Sequence, residues 1–173
     1  MKITAEKFFI TMAAIILFLY GAGVVKTNAS IVVHNIDVTE FYAALETKDT
    51  LKINAFLKIL MDDTASASIA YKGALLMTKS AFQKSGIGKL AMFKKGKLLL
   101  EEEIKKENTH AEFRFLRLII QENCPSFLKY HDKINEDASA VKIFYKKFSP
   151  ELKHAVTNYS KVSKILKPAD FAD

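Results

Sequence analysis

Thr109-His110-Ala111-Glu112-Phe113-Arg114-Phe115-Leu116-Arg117-Leu118-Ile119-Ile120-Gln121-Glu122-Asn123-Cys124-Pro125 is the stretch around which the rest of this chain must be arranged. Thr109 has the side chain of a helix cap, and Pro125 cannot continue a helix, so the pattern predicts a helix that ends at Asn123. Phe113, Phe115, Leu116, Leu118, Ile119 and Ile120 cover nearly its whole circumference. A helix that is apolar almost all round must be surrounded by other elements, so this one is central.

One stripe on that helix is polar. His110, Arg114, Arg117 and Gln121 follow at spacings of four, three and four and therefore align. A guanidinium on a largely buried helix must find carboxylates, carbonyls or a bound anion, because leaving it unpaired costs several kcal/mol. Two readings follow. The arginines pair with internal acids or loop carbonyls and fix how helices dock, or the four residues form a recessed site for an anion, such as a peptide C-terminus or lipid headgroup. His110, Arg114, Arg117 and Gln121 are accordingly the candidate binding residues.

On either side, apolar spacings of three and four predict further helices. Asp37 with Glu40 marks the start of the first, which runs through Phe41, Tyr42 and Leu45 to a break at Lys48-Asp49-Thr50. The second carries Leu51, Ile53, Phe56, Leu57, Ile59 and Leu60 and ends near Asp62-Asp63. Thr64 or Ser66 caps the third, whose small residues Ala70, Gly73 and Ala74 let a neighbouring helix come close. Ser85-Gly86-Ile87-Gly88 is expected to turn the chain into a fourth helix from about Lys89 to Lys106. There Glu101/Lys105 and Glu102/Lys106 lie four apart on what reads as a solvated face. After the central helix come a short segment at Phe127 to His131 and a sixth helix with Val141, Ile143, Phe144 and Phe148. The last helix is opened by Ser149-Pro150-Glu151, a serine cap followed by proline and an acid. Pro168 is expected to close the ordered part, leaving 168–173 as a tail. The fold class expected is all-α: antiparallel helical hairpins forming a single bundle or short solenoid over residues 37–167.

Leu98-Leu99-Leu100-Glu101-Glu102-Glu103-Ile104-Lys105-Lys106-Glu107-Asn108-Thr109-His110-Ala111-Glu112 resembles the second helix of a tetratricopeptide repeat running into the next repeat. It departs from that family at Glu103, Asn108 and Arg117, where the repeat has a small residue, proline and leucine. The resemblance implies peptide or protein binding on a helical concave face and assigns no individual residue.

The amino terminus carries an address. Lys2 and Lys7 precede eighteen uncharged residues from Phe8 to Val25, followed by the small-residue exit Thr27-Asn28-Ala29. That is the order of a secretory leader, so residues 1–29 read as a signal peptide, and 30–36 as an extended arm containing Ile31-Val32-Val33. The apolar run also just reaches the length of a spanning helix, so an uncleaved inner-membrane anchor over residues 8–25 is the alternative. Cleavage would remove Lys2, Lys7 and Lys26 against Glu6, leaving +5 of the formal +7.

The remaining positive charge is diffuse. Lysines intermix with glutamates, and only Arg114 and Arg117 are arginine, so no stripe suited to nucleic acid forms. Cys124 is the single cysteine, which excludes an intramolecular disulfide and leaves stability to the apolar core. No Gly-x-Ser-x-Gly, His-Glu-x-x-His, Cys-x-x-Cys or phosphate-cradling glycine loop occurs. Two Glu-x-x-His pairs, Glu107/His110 and Glu151/His154, are half of a di-iron ligand set, but both sit at helix boundaries rather than mid-helix. The expectation is a non-enzymatic, exported helical binding protein of a bacterial envelope, secreted or periplasmic, of inhibitor or adaptor type, with no cofactor or metal. Its partner would be a protein, a peptide or an anionic ligand group, and it would meet a membrane only if the leader stays uncleaved. The alternatives are a metal- or carboxylate-dependent enzyme on a helical bundle and an inner-membrane-anchored assembly factor.

Overall fold

Aspartate side chains start the first two helices. In this computed structural model, which describes residues 36–172, Asp37 accepts from the Glu40 amide at 3.0 Å and opens α1 (Val38–Thr47). Asp49 accepts from the amides of Leu51 and Lys52 at 2.9 and 3.1 Å and opens α2 (Thr50–Ile59). Both satisfy donors that a helix start leaves without an intrahelical partner. Between these helices Lys48 takes the left-handed conformation, at φ 55°. The leader and most of the arm, residues 1–35, lie outside the described residues.

α3 (Ser66–Ser80) begins without a side-chain cap at Ala65, so neither Thr64 nor Ser66 has the expected role. Asp63 instead ties the preceding loop down, accepting from the Ala65 amide at 2.9 Å and the Ser68 hydroxyl at 2.7 Å. α4 (Gly86–Lys106) starts three residues earlier than expected, because Ser85 caps the Gly88 amide at 3.0 Å and draws Gly86, Ile87 and Gly88 into the helix. α5 (Ala111–Asn123) has His110 at its cap position with no side-chain bond, so Thr109 is not the cap. A 3-10 turn (Ser126–Leu128) leads to α6 (Ile134–Phe144), and a second (Tyr145–Lys147) follows it, so Phe148 falls outside the helix. α7 (Pro150–Ser160) has Pro150 in its first turn and Ser149 capping the Leu152 amide at 3.3 Å. Pro168 opens a further 3-10 turn (Pro168–Phe171) rather than a trailing tail. Phe171 is buried there and Asp170 pairs with Lys142 at 2.9 Å.

Seven α-helices and no strands occur among the described residues, and they pack as an all-α bundle. The most extensive interface is α3 against α4, followed by α5 against α6 and α1 against α7. α5 also touches α3 and α4, which makes it the central helix its composition requires. Gly73 and Gly96 set the α3–α4 crossing. A Cβ built on Gly96 would stand 2.5 Å from the Gly73 carbonyl oxygen, and one on Gly73 would stand 2.8 Å from the Gly96 carbonyl oxygen. An aromatic column joins the other helices. Phe41 stacks on Tyr71 at 4.1 Å, and Phe115 lies 5.2 Å from Tyr42 and 5.8 Å from Tyr159, ring centre to ring centre. Fully burying each such side chain contributes roughly 1.5–3 kcal/mol.

At the head of α5, Glu112 accepts from the hydroxyls of Tyr42, at 3.3 Å, and of Tyr71, joining α1, α3 and α5 through one carboxyl. Burial pushes the Glu112 pKa upward, against the opposing pull of the two hydroxyls. A carboxyl with a raised folded-state pKa contributes stability that is complete below its unfolded value, about 4.3, and is lost as pH rises through the folded one. Glu112→Gln, which keeps an acceptor without the titration, should therefore gain stability relative to wild type between pH 4 and pH 7. Urea midpoints across that range check it, and a difference that stays flat with pH refutes it.

Candidate functional site

The α5 stripe is an ion-pair network between helices. Arg117 is 4% exposed, and all three of its nitrogens donate to carboxylates. Nε and Nη2 reach the two oxygens of Asp137 on α6, each at 2.7 Å, and Nη1 reaches Glu101 on α4 at 2.8 Å. Glu101 also accepts from the Tyr130 hydroxyl at 2.5 Å. Burial works against the charge on Arg117, but Asp137 and Glu101 outweigh it and hold the guanidinium protonated, above its ordinary value. Arg114 donates from Nε to the Asn108 carbonyl at 2.7 Å and from Nη1 to Glu136 at 2.8 Å. Lys133 and Arg114 together pull the Glu136 carboxyl down to about 2.

Both arginines thus have protein partners, and these bonds lock α5 to α4 and α6. Further along the stripe, Gln121 is fully buried, and neither of its amide atoms has a hydrogen-bond partner among the described residues. His110 stacks on Phe113 at 3.8 Å, and burial lowers its pKa. The four residues share one helix edge and its cap, as their spacing requires.

The glutamate run of α4 departs from the expected solvated face. Glu101 is taken up by Arg117 and Tyr130, whereas Glu103 is buried and accepts from the Ser66 hydroxyl at 2.5 Å and from Lys106 at 2.7 Å. Lys106 therefore pairs three residues back rather than four. The partners of Glu101 and Ser66's contact to Glu103 come from distant parts of the chain, which helical spacing does not report.

A second feature lies beside the network. An open cavity of about 790 Å³ is bounded by the ends of α1, α3 and α5, the start of α4, the 3-10 turn at Ser126–Leu128 and the segment after α7. Leu45, Met77, Phe93, Ile119 and Ile120 supply buried apolar wall, while Leu90, Phe127 and Val162 line it with their side chains partly in solvent. Its size falls in the range of about 300–1,000 Å³ typical of small-molecule sites. None of His110, Arg114, Arg117 and Gln121 is among the lining residues.

Glu122, at the end of α5, shapes one side of this cavity. Its carboxylate accepts from the Tyr159 hydroxyl at 3.0 Å, the Ser163 hydroxyl at 2.7 Å and the Lys164 amide at 2.8 Å. Ser163 in turn accepts from the amides of Ile165 and Leu166 at 3.1 and 2.9 Å, so the segment after α7 is tied to α5. Burial and the neighbouring Glu122 keep the Tyr159 hydroxyl protonated. Cys124 also lines the cavity. Its thiol lies 3.5 Å from His131 Nε2 and 3.5 Å from the Tyr130 carbonyl, and burial raises its pKa, the opposite of what an activated nucleophile needs.

The two Glu-x-x-His pairs do not converge. Glu107 follows the last residue of α4 and His110 precedes α5, while Glu151 is exposed in the first turn of α7. No group of three His, Cys, Asp or Glu side chains among the described residues is placed to hold a metal ion. No helix among them is long and apolar enough to cross a membrane.

Sequence reasoning passed over the cavity because its wall draws single residues from many elements, each unremarked in its own helix. Its only local trace is the set of apolar residues that remain in solvent, such as Phe127 at 78% and Val162 at 62%. No family model, curated protein or solved structure matches this chain.

Proposed function

We propose that this chain is a non-enzymatic binding protein and that the cavity between α1, α3, α4 and α5 is its ligand site. The observation that carries the reading is a mostly apolar space of about 790 Å³, open to solvent and lined in part by exposed Leu90, Phe127 and Val162. Water gains little from filling an apolar space, so a cavity of this kind favours an apolar guest. The arginine stripe then has the complementary role of holding α4, α5 and α6 in place behind the site. Export belongs to the same reading: the leader pattern at residues 1–29 supports a protein that meets its ligand in a secreted or periplasmic setting.

The test uses a neutral, apolar fluorescent reporter, N-phenyl-1-naphthylamine. It should bind saturably at one per chain. Thr78→Trp, which places an indole in the cavity wall, should weaken it by about tenfold or more with the melting curve preserved. Failure of the reporter to saturate on the folded wild-type protein would end this reading.

A further inference from the structure

We infer that the ligand is a single-chain amphiphile, an unbranched alkyl chain ending in an anionic head, with the head met by Lys48, Lys89 and Lys164. This rests on the cavity reading above and names the chemistry of its occupant.

The body of the ligand follows from what the wall withholds. Its uncharged polar side chains already make hydrogen bonds within the chain. Ser80 donates to the Met77 carbonyl at 2.6 Å and Thr78 to the Ala74 carbonyl at 3.0 Å. Asn123 donates to the Ile119 carbonyl and the Tyr159 hydroxyl, at 2.9 and 3.1 Å, and Tyr159 donates to Glu122. A peptide backbone entering this space would bring an amide and a carbonyl per residue and find those hydroxyls and amides occupied, at a desolvation cost for each group. An alkyl chain brings none.

The head follows from what the lining leaves over. Lys48, Lys89 and Lys164 all line the cavity, and none makes an ion pair among the described residues. They come from three separate places: the left-handed residue after α1, the first turn of α4, and the segment after α7. All three are fixed by their backbones, Lys89 through its amide to the Ser85 carbonyl at 2.9 Å. The Lys48 amide bonds back to the Ala44 carbonyl, and the Lys164 amide is held by Glu122. Of the two lining acids, Glu122 has its carboxylate turned to three neutral donors of this chain, and with Glu46 it leaves two negative charges against three ammonium groups, a positive surplus. Apolar walls with a surplus of unpaired cations select a ligand that joins hydrocarbon to negative charge.

Displacement of N-phenyl-1-naphthylamine by four twelve-carbon ligands, each below its micelle concentration, tests this: dodecanoate, dodecyl phosphate, dodecanol and dodecyltrimethylammonium. Both anions should bind about tenfold or more tightly than the alcohol and the cation. Shortening dodecanoate should weaken it by about fourfold per methylene removed. Lys89→Gln/Lys164→Gln should remove most of the anions' advantage and leave dodecanol unchanged. Binding by only one of the two anions would tie the site to that head group and keep the inference. Equal affinity for dodecanol and the anions, or an unaltered anion affinity in the double variant, overturns the inference while the cavity reading stands. Displacement by none of the four also overturns it. Absence of reporter binding in the first place points instead to failure of the cavity reading.

Discussion

Asp137→Ala is expected to destabilise the fold by about 3–5 kcal/mol, a large part of the roughly 5–15 kcal/mol that holds a domain together. Asp137 is fully buried and takes two of the three nitrogens of Arg117. Its removal leaves a buried guanidinium with Glu101 alone, and Glu101 also receives the Tyr130 hydroxyl. The penalty comes from the stranded charge more than from a lost attraction. The double variant Arg117→Met/Asp137→Leu should therefore recover most of the loss, because it removes both charges and fills the space with hydrocarbon. Chemical denaturation followed by far-ultraviolet circular dichroism measures both variants against the wild type. A loss under about 1 kcal/mol for Asp137→Ala would show that the pair does not govern how α5 and α6 dock.

Gly96→Ala carries the second large effect, and here two physical terms have opposite signs. Helix propensity alone favours alanine by about 1 kcal/mol in the interior of α4. Packing opposes it, because the new methyl group would stand 2.5 Å from the Gly73 carbonyl oxygen and 2.8 Å from the Met77 amide nitrogen. Both are backbone atoms, so relief requires α3 and α4 to move apart along the most extensive interface in the bundle. Overpacking of this kind costs roughly 1–3 kcal/mol or more, and with contacts this short the upper end applies, giving a net loss of about 2 kcal/mol. Gly86→Ala is the control: a Cβ there meets nothing within 4 Å, and the variant should gain about 0.4–1 kcal/mol. Melting temperatures of the two variants should shift in opposite directions. A stabilised Gly96→Ala would mean that the crossing is looser than these distances require.

The legible parts of the sequence were those governed by near neighbours. Asp37 and Ser149-Pro150 announce helix starts because a cap acts over three residues, and Pro125 announces an end because it lacks an amide hydrogen. The burial of Phe113, Phe115, Leu116 and Leu118 was equally readable, since a helix apolar on every side has nowhere else to be. Local rules misled where two short-range options competed. Gly86 and Gly88 look like turn residues, yet the Ser85 cap recruits them into α4, and Thr109 looks like a cap, yet His110 occupies that place. Pro168 reads as an ending, but Phe171 finds an apolar pocket near Tyr145, 4.6 Å away between ring centres.

Composition and periodicity alone establish an all-α chain with α5 at its centre and two arginines that must be compensated, because these follow from hydrogen bonding and burial within one helix. Which acids compensate them, how closely α3 and α4 approach, and where an apolar space opens between helices were decided by the packed structure. Those properties depend on residues tens of positions apart. Asp137 and Glu101 reach Arg117 from opposite sides along the chain, and the lysines of the cavity come together only when α1, α4 and the segment after α7 are in place.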